Sequence, residues 1–350
     1  MAFGEGVTDH GPIGIYRMHF GAGLYNHPPL MGYLLQLVTL ANRQGLAFPL
    51  VIRVPAIVAD AVTSFLVFEM LRKRRSLQRS LVAAASVAAS PVLFVISGYH
   101  GNTDPLFVMF ALLSVYLLVD RGAPIWAGLA IAVALGVKIV PVVVVPTLLV
   151  FAFTAGRRTL IRFCLASGAL LALTWGPVVL SVWAPFRKDV LGYAGGHWKW
   201  GLPHLASSMG ADGFGTWLQG PGRFVVVLIV AVVPAALTLK RPGRAVEASA
   251  LALTGMLALS PAFALQYVAW AVAPAYLLSF PAATAFNLLA SGLVVEVYDR
   301  WSGGFPWYFA EATYFTSGEV ILALAVWVSL MVVVVAGIVD GKATAELRPA

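Results

Sequence analysis

Runs of apolar residues constrain this chain more than any other feature. Near 50–71, 80–99, 104–119, 164–184, 222–239, 246–263, 264–280, 281–297 and 318–338 the sequence carries hardly a charge. A helix needs about 20 mostly apolar residues to cross a hydrocarbon core about 30 Å thick. Inside lipid each backbone polar group must be satisfied within the segment, so runs of this kind fold as helices. Hydrophobic residues are 60% of the chain and charged residues 11%, against about half and about a quarter in a soluble domain. A soluble fold could not cover that much apolar surface. The predicted fold class is an all-α polytopic transmembrane helix bundle. It has about 10–11 membrane segments, including two short half-spans, and helices in its extracytoplasmic loops. A soluble enzyme, a disordered chain and a nucleic-acid module are excluded.

Met1 to Arg17 has no basic stretch followed by an apolar one, so it reads as neither a signal peptide nor a starting membrane helix. The predicted organisation is an extracytoplasmic loop over 1–49 with an amphipathic helix at 29–42, a bundle over 50–340 with a large external loop at 185–221, and a cytoplasmic tail at 341–350. The single cysteine, Cys164, allows neither an internal disulfide nor a cysteine metal site.

Charge sets the expected orientation. The joints at 72–79, 121, 157–162, 240–244 and 342–348 hold 14 of the 23 Lys and Arg residues. They share one side only if 125–153 goes in and comes back. As one helix that stretch would be about 43 Å long, too long for the bilayer unless steeply tilted. Pro141 and Pro146 break helices in the right place for two half-spans meeting near Lys138. The positive-inside rule makes the basic side cytoplasmic, the C-terminus included, and the bacterial inner membrane is the expected location. The opposite face then carries His10, His19, His27, His100, His197 and His204, with Trp, Tyr, Asp and Arg in loops, as a site at the membrane surface would.

Four motifs stand out. In Tyr25-Asn26-His27-Pro28-Pro29-Leu30 two prolines fix an extended approach and then start a helix. A helix start alone explains the prolines; a site role has Tyr25 and His27 held rigidly over a cavity. In Gly98-Tyr99-His100-Gly101-Asn102-Thr103-Asp104-Pro105, Asp104 with Pro105 is a good helix cap. Capping does not explain Tyr99, His100 and Asn102 in a tight hairpin at the bilayer surface, so this loop reads as a substrate contact. Lys138 lies deep in an apolar run. A lysine there needs water, a partner or an anion. Where two half-helices meet, a phosphate head group is a natural counter-ion. In Ser260-Pro261 to Trp270, Gln266, Tyr267 and Trp270 are interfacial types, and anchoring explains them as well as ligand contact does. No phosphate-binding loop, dinucleotide glycine motif or metal-binding cluster occurs, and no cofactor is expected.

In this order the motifs resemble GT-C glycosyltransferases, polytopic enzymes that use polyprenyl-phosphate sugars, and in particular their bacterial mannosyltransferase-like members. The resemblance covers roughly residues 16–280. It implies a membrane helix first, then an acidic catalytic residue in the first external loop, then the Tyr/His-Pro-Pro element. Here that first helix is missing. Glu5 and Asp9 alone precede Tyr25 among acidic residues, so the implied catalytic position is Asp9. The implied substrate-binding residues are Tyr25, His27, Tyr99, His100, Asn102, Asp104, Lys138, Gln266 and Tyr267. The implied reaction moves a mannose-like hexose from a polyprenyl-phosphate donor to a lipid, glycan or protein acceptor on the extracytoplasmic face. A carboxylate would take the acceptor hydroxyl proton, and Lys138 would stabilise the leaving phosphate. Two rivals stay open. A transporter or lipid-linked sugar flippase would also use intramembrane Lys138 and Asp60 with broken helices. An inactive, N-terminally truncated copy would keep the bundle without the chemistry. A membrane span encoded upstream of Met1, followed by an Asp-bearing loop, would support the enzyme.

Overall fold

The computed structural model describes residues 2–20, 23–193, 200–305 and 314–346, with backbone alone at 23–24 and 340–346. His197, parts of the 185–221 and 299–317 loops and the last four residues of the tail lie outside the described residues. The described chain is mostly helical, and the only strands among the described residues are a two-residue antiparallel pairing of His19–Phe20 with Gly23–Leu24. Among the described residues six helices are long and apolar enough to cross a membrane: Phe48–Leu71, Leu77–His100, Arg157–Leu191, Gly222–Lys240, Phe280–Trp301 and Ser317–Val339. Shorter apolar helices run over Pro124–Val137, Val140–Thr154 and Leu265–Leu278. This is the expected all-α polytopic bundle. Within 185–221 the chain carries the helices Gly201–Ser208 and Asp212–Gln219 after the long helix that ends at Leu191.

Proline opens many of these helices. Pro29, Pro105, Pro124, Pro141, Pro146, Pro242 and Pro281 each stand in the first helical positions. There the absent N–H is not needed and the fixed φ already suits the helix.

Two compact units divide the chain: Met1–Thr63 with Gly101–Tyr193, and Ser64–His100 with Ala194–Ala350. In the first, residues expected to be loop form the helix Ala2–Gly14, kinked at Gly11 (φ 75°) beside Pro12. Its 13 residues are too few to span a bilayer. It lies antiparallel to Pro29–Arg43: Gly4 approaches Thr39, while Gly32 faces Pro12. Pro124–Val137 runs parallel to Arg157–Phe186. Near their starts Gly128 packs on the Phe163 carbonyl. Near their ends, Gly136 packs on Leu30, and Phe186 meets Tyr16, which bonds His27. Val145–Thr154 leads through Ala155 and Gly156 back to the start of Arg157–Phe186. The chain therefore goes in with one half-helix and returns with the other, turning at 138–144.

In the second unit, the run over 246–280 is interrupted by non-helical Ser260–Ala264 between Ala245–Leu259 and the turn Leu265–Val268. Buried polar side chains tie the helices. Ser90 donates to Asn287 Oδ1 at 2.7 Å, Asn287 Nδ2 donates to the Ser86 carbonyl at 3.3 Å, and Trp327 Nε1 donates to the Ala258 carbonyl at 2.8 Å. In lipid, interhelical hydrogen bonds and small residues replace the hydrophobic effect as glue.

Candidate functional site

Within the first unit three motif elements converge. The break between the half-helices puts Lys138 at the C-terminal cap of Pro124–Val137, in extended conformation (φ −151°, ψ 147°). Asp104 opens the helix Asp104–Val115. The Lys138 ammonium donates to both carboxylate oxygens of Asp104, at 2.6 and 2.7 Å. The Asp104 side chain is 3% exposed and that of Lys138 18%. Each charge sits at the favourable end of its own helix dipole, the anion at an N-terminus and the cation at a C-terminus. Of the water, partner or anion that Lys138 was expected to need, the fold supplies a partner, Asp104.

The loop leading to Asp104 is fastened. Gly101 has φ 71°, and a side chain there would strain the backbone. Asn102 Oδ1 accepts from the Asp104 amide at 2.7 Å, and Thr103 Oγ1 donates to Met31 Sδ at 3.5 Å. Asn102 is therefore an aspartate-positioning cap in this state.

His27 lies between the kinked N-terminal helix and Pro29–Arg43. Its carbonyl accepts from the Tyr16 hydroxyl at 2.7 Å, and its ring is 5.6 Å from that of Tyr25. Burial pulls the His27 pKa down to about 4; the Lys138 charge lowers it further and Asp104 opposes. His27 is therefore neutral at physiological pH. Tyr25 is 1% exposed, and its hydroxyl has no hydrogen-bond partner among the described residues. Burial pushes its pKa well up, and Tyr16 adds to that. A cavity of about 330 Å³ beside Tyr16 is lined by Arg17, His19, Pro185, Lys188 and Asp189.

The other expected site residues make contacts of their own. Asp9 is exposed and pairs with Arg43 at 3.3 Å. Tyr99, His100, Gln266 and Tyr267 belong to the second unit. The tight hairpin expected at 98–104 is instead a π-helical turn, Phe94–His100, ending in three irregular residues. His100 Nδ1 bonds the Tyr298 hydroxyl and Tyr99 bonds Ser302. Gln266 and Tyr267 form the turn Leu265–Val268, with Tyr267 stacked on Trp270 at 4.0 Å. Tyr16, Tyr298 and Ser302 carried no sequence signal, because nothing in their local spacing marks them. Among the described residues no three His, Cys, Asp or Glu side chains gather at metal-binding distance.

Six spanning-length apolar helices, with broken helices around a buried ion pair, define a polytopic membrane protein. Residues 26–183 match the sequence model of the family described as dolichyl-phosphate-mannose-protein mannosyltransferase. The match bears out the GT-C resemblance and takes in His27, Asn102, Asp104 and Lys138. The Ser260–Trp270 motif lies outside it. No curated protein matches the chain. The family match supports a membrane glycosyltransferase of the GT-C type.

Proposed function

We propose that this chain transfers a mannose-like hexose from a polyprenyl-phosphate donor to a lipid, glycan or protein acceptor. Transfer takes place on the extracytoplasmic face of a bacterial inner membrane, with the basic joints and the C-terminus in the cytoplasm. The observation that carries this reading is the buried Asp104–Lys138 pair at a helix break, beside neutral His27, within the residues that match the family.

The pair has a chemical use. A phosphate entering beside Lys138 offers it a second anion, so the cation can leave Asp104 without becoming an unpaired buried charge. The ammonium then faces the bond from which phosphate departs and stabilises the charge that develops there. The released Asp104 carboxylate, or Asp9, takes the acceptor hydroxyl proton. Neutral His27 can donate a hydrogen bond to a phosphate or sugar oxygen without adding charge. Tyr25 holds a buried hydroxyl ready for the same purpose. The cavity lined by Tyr16, Arg17, His19 and Lys188 is a route for the acceptor.

The test supplies membranes bearing the chain with radiolabelled polyprenyl-phosphate mannose and follows label in lipid and protein fractions. Transfer by the wild type, lost in Lys138→Met/Asp104→Asn and in Asp9→Asn, is the expected result. Asp9→Asn with full activity removes Asp9 as base and leaves Asp104. Movement of the labelled donor across the bilayer without any transfer product would replace this reading with that of a transporter.

A further inference from the structure

A cavity of about 270 Å³ opens within the second unit where apolar helices end. Leu71 closes Phe48–Leu71, Leu278 closes Ala269–Leu278, and Phe280 begins Phe280–Trp301. Ends of spanning helices sit at head-group depth, because the hydrocarbon core ends where the apolar run does. Arg75 and Arg79 form the polar wall.

These two arginines differ from their neighbours in the same basic joint. Arg72 pairs with Glu69 at 2.7 Å, and Arg74 donates to the Met70 carbonyl at 2.8 Å. The Arg75 and Arg79 guanidiniums have no partner among the described residues, and no Asp or Glu lines the cavity. Two like charges on one small cavity repel, and an anion between them removes that cost. The first turn of Phe280–Trp301 adds to the field. Ser279 makes no side-chain cap bond there, and the open N-terminal amides carry partial positive charge. Leu71, Leu278 and Phe280 supply an apolar wall, beside Tyr276 and Ser279.

A cationic mouth over an apolar wall at head-group depth fits a molecule with an anionic head and a hydrocarbon tail. We propose that this cavity binds the phosphate of an anionic phospholipid, with its acyl chains along the neighbouring apolar helices. Guanidinium forks suit phosphate oxygens, which accept two parallel hydrogen bonds from one arginine. The site is independent of the Asp104–Lys138 pair and stands whether or not the chain transfers sugar.

The full chain, purified in detergent, is titrated with phosphatidylglycerol or phosphatidylcholine, and retained lipids are counted by native mass spectrometry. The compared variants are Arg75→Gln/Arg79→Gln and Arg157→Gln/Arg158→Gln, which removes two exposed charges from another joint. The cavity variant is expected to bind phosphatidylglycerol about tenfold more weakly. The control variant should bind it like the wild type, and phosphatidylcholine should bind weakly to all three. Equal losses in both variants, or no loss in the cavity variant, would overturn the proposal. A separate arm offers glycerophosphoglycerol and inorganic phosphate as competitors. Competition as strong as that of the intact lipid would overturn the lipid assignment and leave a soluble phosphate ester as the occupant.

Discussion

Lys138 and Asp104 come from different helices, and each is tolerated because the other is there. Removing one charge takes away the other's bidentate counter-charge in a buried setting, at a cost of about 3–5 kcal/mol. Lys138→Met alone should therefore lower the thermal unfolding temperature markedly as well as stop transfer. Lys138→Met/Asp104→Asn should recover most of the stability and still be inactive. Equal melting of Lys138→Met and wild type in the same detergent would show that the pair is not buried as described. Tyr25 makes the opposite prediction. Its hydroxyl is buried without a partner, which costs about 1–3 kcal/mol. Tyr25→Phe should melt no lower than the wild type, and if the hydroxyl serves the substrate it should transfer more slowly. His27 sets a pH dependence. Its folded pKa of about 4 lies below the ordinary histidine value of 6.5. The unfolded chain therefore binds the proton more readily between those values. This group's contribution to stability is complete above about pH 6.5 and is lost as pH falls toward 4. Removing the Lys138 charge should raise the His27 pKa, which an NMR titration of labelled histidine would follow.

Helices approach closely where glycine allows it. At Gly128 an added Cβ would lie 2.5 Å from the Phe163 carbonyl oxygen, a backbone atom that cannot move aside. Gly128→Ala should force Pro124–Val137 and Arg157–Phe186 apart and cost about 1–3 kcal/mol. Gly168 has nothing within 4 Å of the same position, so Gly168→Ala is the matched control and should melt like the wild type. A drop at Gly168 equal to that at Gly128 would refute the packing argument. Most of these elements were legible in the sequence. Apolar length marked the spans, and Pro141 and Pro146 with Lys138 marked the paired half-helices. The helix Ala2–Gly14 was not legible, because glycine and proline within it read locally as breakers. Packing on Pro29–Arg43 overrides that local preference.

Across the whole molecule, orientation follows from where positive charge is concentrated. In a Cys164→Ser background, Met209→Cys should react with a membrane-impermeant maleimide in intact cells. Gln78→Cys should react only after permeabilisation. The reverse pattern would invert the proposed topology. Apolar length and basic joints belong to the sequence itself, since lipid tests each segment nearly on its own. They determined the fold class, the positions of six of the nine expected spans and the expected orientation. The charged side chains of the site were also visible as residue types out of place in apolar surroundings. Which charges neutralise each other was not visible. Asp104 and Lys138 are 34 residues apart, and each alone had a sufficient local explanation, a helix cap and a phosphate ligand. Likewise His100 and Tyr298, 198 residues apart, meet only after folding. Pairing depends on which helix ends come to one point, and that is decided by packing between segments, not by the composition of any one of them.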